Sequence, residues 1–150
     1  MLLMLFPLLA IVGLGFYMLR EGRDDLVRAH PYARWIMVAA LLPLVALIAF
    51  SLLFGIGELA ADVPGGVFHL LPIIPIVILA SQAWHRPVAG GVTLMVPGVV
   101  LGATFFGMMQ GEIGFKVQGA IIMGVPFLLA GAGFLAAGAV ARPAPLVPQH

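Results

Sequence analysis

Five uninterrupted apolar runs, at residues 2–19, 35–57, 67–84, 88–110 and 120–141, constrain this chain more than any other feature of it. A helix rises 1.5 Å per residue, so the shortest run reaches about 27 Å, close to the thickness of a bilayer hydrocarbon core. A transmembrane β-barrel would show segments of about ten residues with alternating polarity. These runs are continuously apolar and predict helices. Composition agrees, with 63% hydrophobic residues, 9% charged residues and a mean hydropathy of +1.17, where about a quarter of a soluble chain is charged. The expected fold is an all-α integral membrane protein, a single bundle over 1–150 with no room for a soluble domain.

Lysine and arginine near span ends stay on the cytoplasmic side. Arg20, Arg23, Arg28 and Arg34 fall between the first two runs, Arg86 between the third and fourth, and Arg142 after the fifth; Lys116 alone falls opposite. Five spans with the N-terminus outside and the C-terminus inside satisfy six of the seven cations. The first run lacks the early cation and the cleavage site of a secretory signal, so it reads as a retained helix. Removing it would leave the other four spans in the same orientation. Between the first two runs, Asp24 and Arg28 have the i,i+4 spacing of a solvated helix face, and Pro31 marks a new helix start.

Shifting the sequence by 54 positions lays 40–84 on 94–138 without a gap. Pro43 meets Pro97, Gly57 meets Gly111, Glu58 meets Glu112, Gly65 meets Gly119 and Pro72 meets Pro126. Each unit reads as a helical hairpin, and two parallel copies would be related by a pseudo-twofold axis along the membrane normal. Small residues permit close helix contact in lipid. Gly98, Gly102, Gly107 and Gly111 on the fourth run, with Gly131 and Gly133 on the fifth, mark those two helices as a tight internal contact.

The polar residues offer few sites. His69 lies near the outer end of the third run, beside Pro72 and Pro75, which cannot donate to the carbonyls of Phe68 and Leu71. It reads first as a side chain that hydrates a loosened helix entry. It is also the candidate ligand for haem or a chlorophyll-type pigment, since intramembrane ionisable groups attract functional suspicion. Glu58 and Glu112 form a candidate outer-face polar site, with two independently solvated carboxylates as the plainer reading. No cysteine is present, which removes disulfides and thiolate-bound metals. The formal charge of +1 and the absence of a basic stripe point away from nucleic acid. Ser51 and Ser81 have no carboxylate or histidine at a nucleophile–base spacing, so no enzyme is expected.

The Gly57-Glu58 pair, "HLLP" at His69 to Pro72, "RPVAGG" at Arg86 to Gly91 and "GVPFLLAGAGFL" from Gly124 to Leu135 resemble a family of small bacterial membrane proteins known as a domain of unknown function. The resemblance covers roughly 35–137 and leaves out the first run and the tail. It implies a helical bundle in the bacterial inner membrane and no activity. The functional expectation is a non-catalytic accessory or assembly subunit of a larger membrane complex, whose partners are the lipid bilayer and other membrane subunits. The alternatives are a small transporter or channel, and pigment or haem binding through His69.

Overall fold

Proline at the first helical position costs nothing, because the N–H it lacks would be unpaired there, and its fixed φ suits a helix. Two helices of this protein begin that way. A computed structural model describes residues 30–61, 63 and 66–141. It shows α1 at Pro31–Ala60, a short α2 at Gly66–Leu70, α3 at Ile73–His85, α4 at Pro87–Met108 and α5 at Ile113–Val140, with no strand among the described residues. The expected span at 2–19, the arginines that precede His30 and the proline-rich tail lie outside them.

Among the described residues, four helical units are long and apolar enough to cross a membrane: Pro31–Ala60, Gly66–His85, Pro87–Met108 and Ile113–Val140. The second is interrupted. Leu71 and Pro72 form a turn between α2 and α3, where Pro72 and Pro75 each lack the N–H of an i→i−4 hydrogen bond. Leu71 N still donates to Val67 O, and Ile76 N to Pro72 O, so the chain bends without losing direction. α1 and α5 exceed the expected runs. At 30 and 28 residues they would reach about 45 and 42 Å, longer than a hydrocarbon core of about 30 Å. The excess puts Lys116 on α5, ahead of the apolar run at 120–141.

Connections are short. Val63 N donates to Glu58 O and Gly66 N to Val63 O between α1 and α2. Arg86 alone, at φ −137° and ψ 80°, separates α3 from α4. A residue before proline is driven to this extended region, so Pro87 both ends one helix and starts the next. The reversal is so tight that a Cβ on Gly90 would strike the Ala83 backbone. Between α4 and α5, Gly111 turns with φ +111°, a conformation that suits glycine.

The glycines of α4 and α5 meet in pairs. A Cβ on Gly91 would lie 2.8 Å from Gly131 O, and one on Gly98 would lie 3.0 Å from Gly124 O. Gly102 stands at an ordinary 3.5 Å from Ala120 O. Gly133 serves a different contact, since its Cβ would lie 2.6 Å from the Cβ of Ala40 on α1. Gly107 and Gly111 do not belong to this seam. A Cβ at either would meet nothing within 4 Å, because α4 ends at Met108 and the chain turns away.

Met37 and Leu44 of α1, Leu79 of α3, Leu94 of α4 and Phe127 and Phe134 of α5 supply the largest part of the buried core. Contacts between Gly90 and Ala83, Gly138 and Val88, and Gly133 and Ala40 place the start of α1, the end of α3, the start of α4 and the end of α5 at one end of the bundle. Arg34 and Arg86 share that end; Glu58, His69, Glu112 and Lys116 lie toward the other.

Candidate functional site

α1 and α2 are pinched together at the end opposite Arg34 and Arg86. A Cβ on Gly66 would lie 2.6 Å from Gly55 O, so only glycine lets the two backbones come this close. The pinch places Glu58, one turn beyond Gly55, beside His69, one turn beyond Gly66. Glu58 Oε1 lies 3.2 Å from His69 Nε2, with the two side chains 31% and 45% exposed. A pair this open contributes about 1 kcal/mol or less to stability. Its consequence is orientation: with Nε2 facing a carboxylate, the imidazole presents Nδ1 to any further partner. Phe54 stands beside the same ring, centroid to centroid 6.3 Å, and Phe50 packs on Phe54 at 4.4 Å.

Glu112 is placed differently. It is the N-cap residue of α5, its side chain makes no capping hydrogen bond, and its carbonyl accepts from Phe115 N and Lys116 N. Among the described residues, its carboxylate has no ion pair or hydrogen bond. Glu58 thus faces His69, while Glu112 stands at the start of α5.

A cavity of about 350 Å³ lies beside the pair, walled by residues of all five helices. Among the described residues, Ser51 and His69 are the only polar side chains on its wall; Phe50, Phe105, Met123 and Phe127 are among the others. Pockets of this size between the helices of a bundle, apolar with a few polar groups, are common ligand sites. A second, shallower groove runs along the outside of α4 and α5 past Gly98, Gly102 and Gly124 and opens to lipid.

Two further polar residues lie deep in the bundle. Thr93 Oγ1 donates to Ala89 O at 2.9 Å, the usual way a helix satisfies a buried hydroxyl. Gln82 is completely buried, and neither atom of its amide has a hydrogen-bond partner among the described residues. His30 Nδ1 and His85 Nδ1, at the arginine-bearing end, are also buried without a partner there. Nothing in the local sequence marks the Gln82 amide as unpaired, because that depends on apolar neighbours from other helices.

The Glu58–His69 pair was also missed, although a signal existed. Glu58 and His69 lie at nearly the same distance, on either side, from Val63 at the middle of the turn between α1 and α2, so an antiparallel hairpin would bring them nearly level. Comparison with protein-family models, with curated proteins and with solved structures finds no match to this chain.

Proposed function

We propose that this protein is a non-catalytic, multi-pass component of a bacterial inner membrane, with the arginine-bearing end cytoplasmic, and that it acts as an accessory or assembly subunit of a larger membrane complex. The observation that carries this reading is the coverage of α1. Its most apolar window is 22% buried, against 33% for each of the other three units. Trp35, Leu42, Leu53 and Ile56 all stand outward from it, each more than half exposed. Lipid can cover such a face, as can the chain's own apolar run at 2–19 or a helix of another subunit packing by van der Waals contact; the proposal takes the last.

The other readings draw less support. Pigment or haem ligation through His69 would have to use Nδ1 or displace Glu58 from Nε2. An ion channel would have to route its ion past a wall whose only polar side chains are Ser51 and His69.

Native-gel migration after solubilising membranes in a mild detergent tests the proposal. The tagged chain, 15.8 kDa by itself, is expected in a band far heavier than a few copies plus bound detergent, with other membrane proteins in that band. Migration as one to a few copies alone would remove the larger complex.

A further inference from the structure

We propose that the cavity beside His69 binds a membrane-dissolved molecule that has a flat ring bearing hydrogen-bonding oxygens and an apolar tail, the chemistry of a quinone or quinol lipid. This goes beyond a role as an assembly subunit and does not depend on it.

The cavity has direction. It is walled by His69 near the outer end of the bundle and by Leu79 farther along α3, about 15 Å away along the helix rise. His69 stands at its outer end and Ser51, seven residues before Glu58 on α1, about 10 Å farther in, while Leu47, Leu79 and Leu101 close the inner part. An occupant therefore needs polar atoms toward the interface and an apolar continuation toward the middle of the bilayer.

Its two sides are chemically different, as the shift of 54 positions makes plain. Leu47 and Leu101, Ser51 and Phe105, and His69 and Met123 are pairs separated by 54 positions, and all six residues line the cavity. One unit supplies a hydroxyl and an imidazole where the other supplies a phenyl ring and a thioether. A symmetric apolar slot would suit an acyl chain; this one takes its hydrogen-bonding groups from one unit alone and sets them among phenyl rings from both.

The space has a structural origin. Gly91, Gly98, Gly124 and Gly131 close the α4–α5 hairpin, whereas the residues 54 positions earlier are Met37, Leu44, Leu70 and Val77. The first hairpin cannot close in the same way, and α1 and α3 touch far less than α4 and α5 do.

The ring follows from the wall. Phe50, Phe105 and Phe127 present aromatic surfaces to the cavity, and aromatic rings pair well in offset or edge-to-face geometry. The oxygens follow from His69. Glu58 occupies Nε2, leaving Nδ1, which accepts from a hydroxyl when the imidazole is neutral and donates to a carbonyl when it is protonated. Ser51 can do both.

The test uses the full chain in detergent with its methionine methyl groups labelled with carbon-13. Met123 is assigned by its loss in Met123→Leu, and the probes are a decyl-substituted dimethoxy-methyl-benzoquinone and decylbenzene. The expected result is a saturable shift of the Met123 methyl signal with the benzoquinone, at least tenfold tighter than with decylbenzene. His69→Ala should abolish that preference, and Ser51→Phe, which fills the cavity, should abolish binding of both probes. No saturable shift in the wild type overturns the proposal. So does equal affinity for the two probes, which would make the cavity a plain hydrocarbon slot. An unchanged benzoquinone preference in His69→Ala also overturns it. If His69→Ala does not fold by circular dichroism, Ser51→Phe decides: benzoquinone binding that survives it contradicts the assignment of this cavity.

Discussion

Gly131→Leu should destabilise the bundle by at least the upper end of the roughly 1–3 kcal/mol typical of overpacking, while Gly107→Leu should be neutral or slightly stabilising. At Gly131 a Cβ would lie 2.6 Å from both Gly91 O and Met95 Cγ. The methionine can turn aside, but the carbonyl is part of α4 and can yield only if the helices separate. At Gly107 a Cβ meets nothing, and leucine has the better helix propensity by up to about 1 kcal/mol. Gly102→Ala, with its nearest neighbour at 3.5 Å, should fall between them and close to neutral. Unfolding by dodecyl sulfate in mixed micelles, followed by far-ultraviolet circular dichroism, gives the three values on one scale. Equal effects at 131 and 107 would mean that the α4–α5 seam is not where the glycine pairs put it.

Gln82→Met is expected to raise stability in the same assay. A buried donor or acceptor without a partner costs about 1–3 kcal/mol relative to one that is satisfied, and the Gln82 amide holds both kinds at zero exposure. Methionine keeps the unbranched shape and removes both polar atoms, so the core stays filled. Gln82→Glu should move the other way, because a carboxyl at this place would have to be buried either charged or without its hydrogen bonds. Loss of stability in Gln82→Met would show that the amide has a partner in the working protein.

The helices were legible because hydrocarbon demands long apolar runs, and this composition leaves no other way to satisfy the backbone. The ends were less so. Hydropathy reports the part of a helix that lipid tails cover, and α1 and α5 continue as hydrogen-bonded helix beyond it, taking in Tyr32 and Lys116. The turn at Leu71 and Pro72 was readable as a loosening, since proline chemistry is local.

The glycines show where such reading stops. Gly98, Gly102, Gly107 and Gly111 suggested one seam, but the contact repeats every seven residues, Gly91 with Gly131 and Gly98 with Gly124. That is the antiparallel register of two helices packed along a shared 3.5-residue repeat. Registers belong to pairs of helices, and one helix's sequence does not contain them. The meeting of Glu58 and His69 and the cavity beside them depend in the same way on how closely Gly55 and Gly66 approach.

The chain contains no cysteine, so single cysteines can be introduced and probed with a membrane-impermeant maleimide without further engineering. Arg34→Cys, Arg86→Cys and Ala141→Cys should react from one face of the membrane, Ala61→Cys and Glu112→Cys from the other, and Leu44→Cys and Leu94→Cys from neither. Reaction of positions 34 and 86 from contrary faces, or ready labelling at 44 and 94 in intact membranes, would contradict the four crossings on which the rest is built.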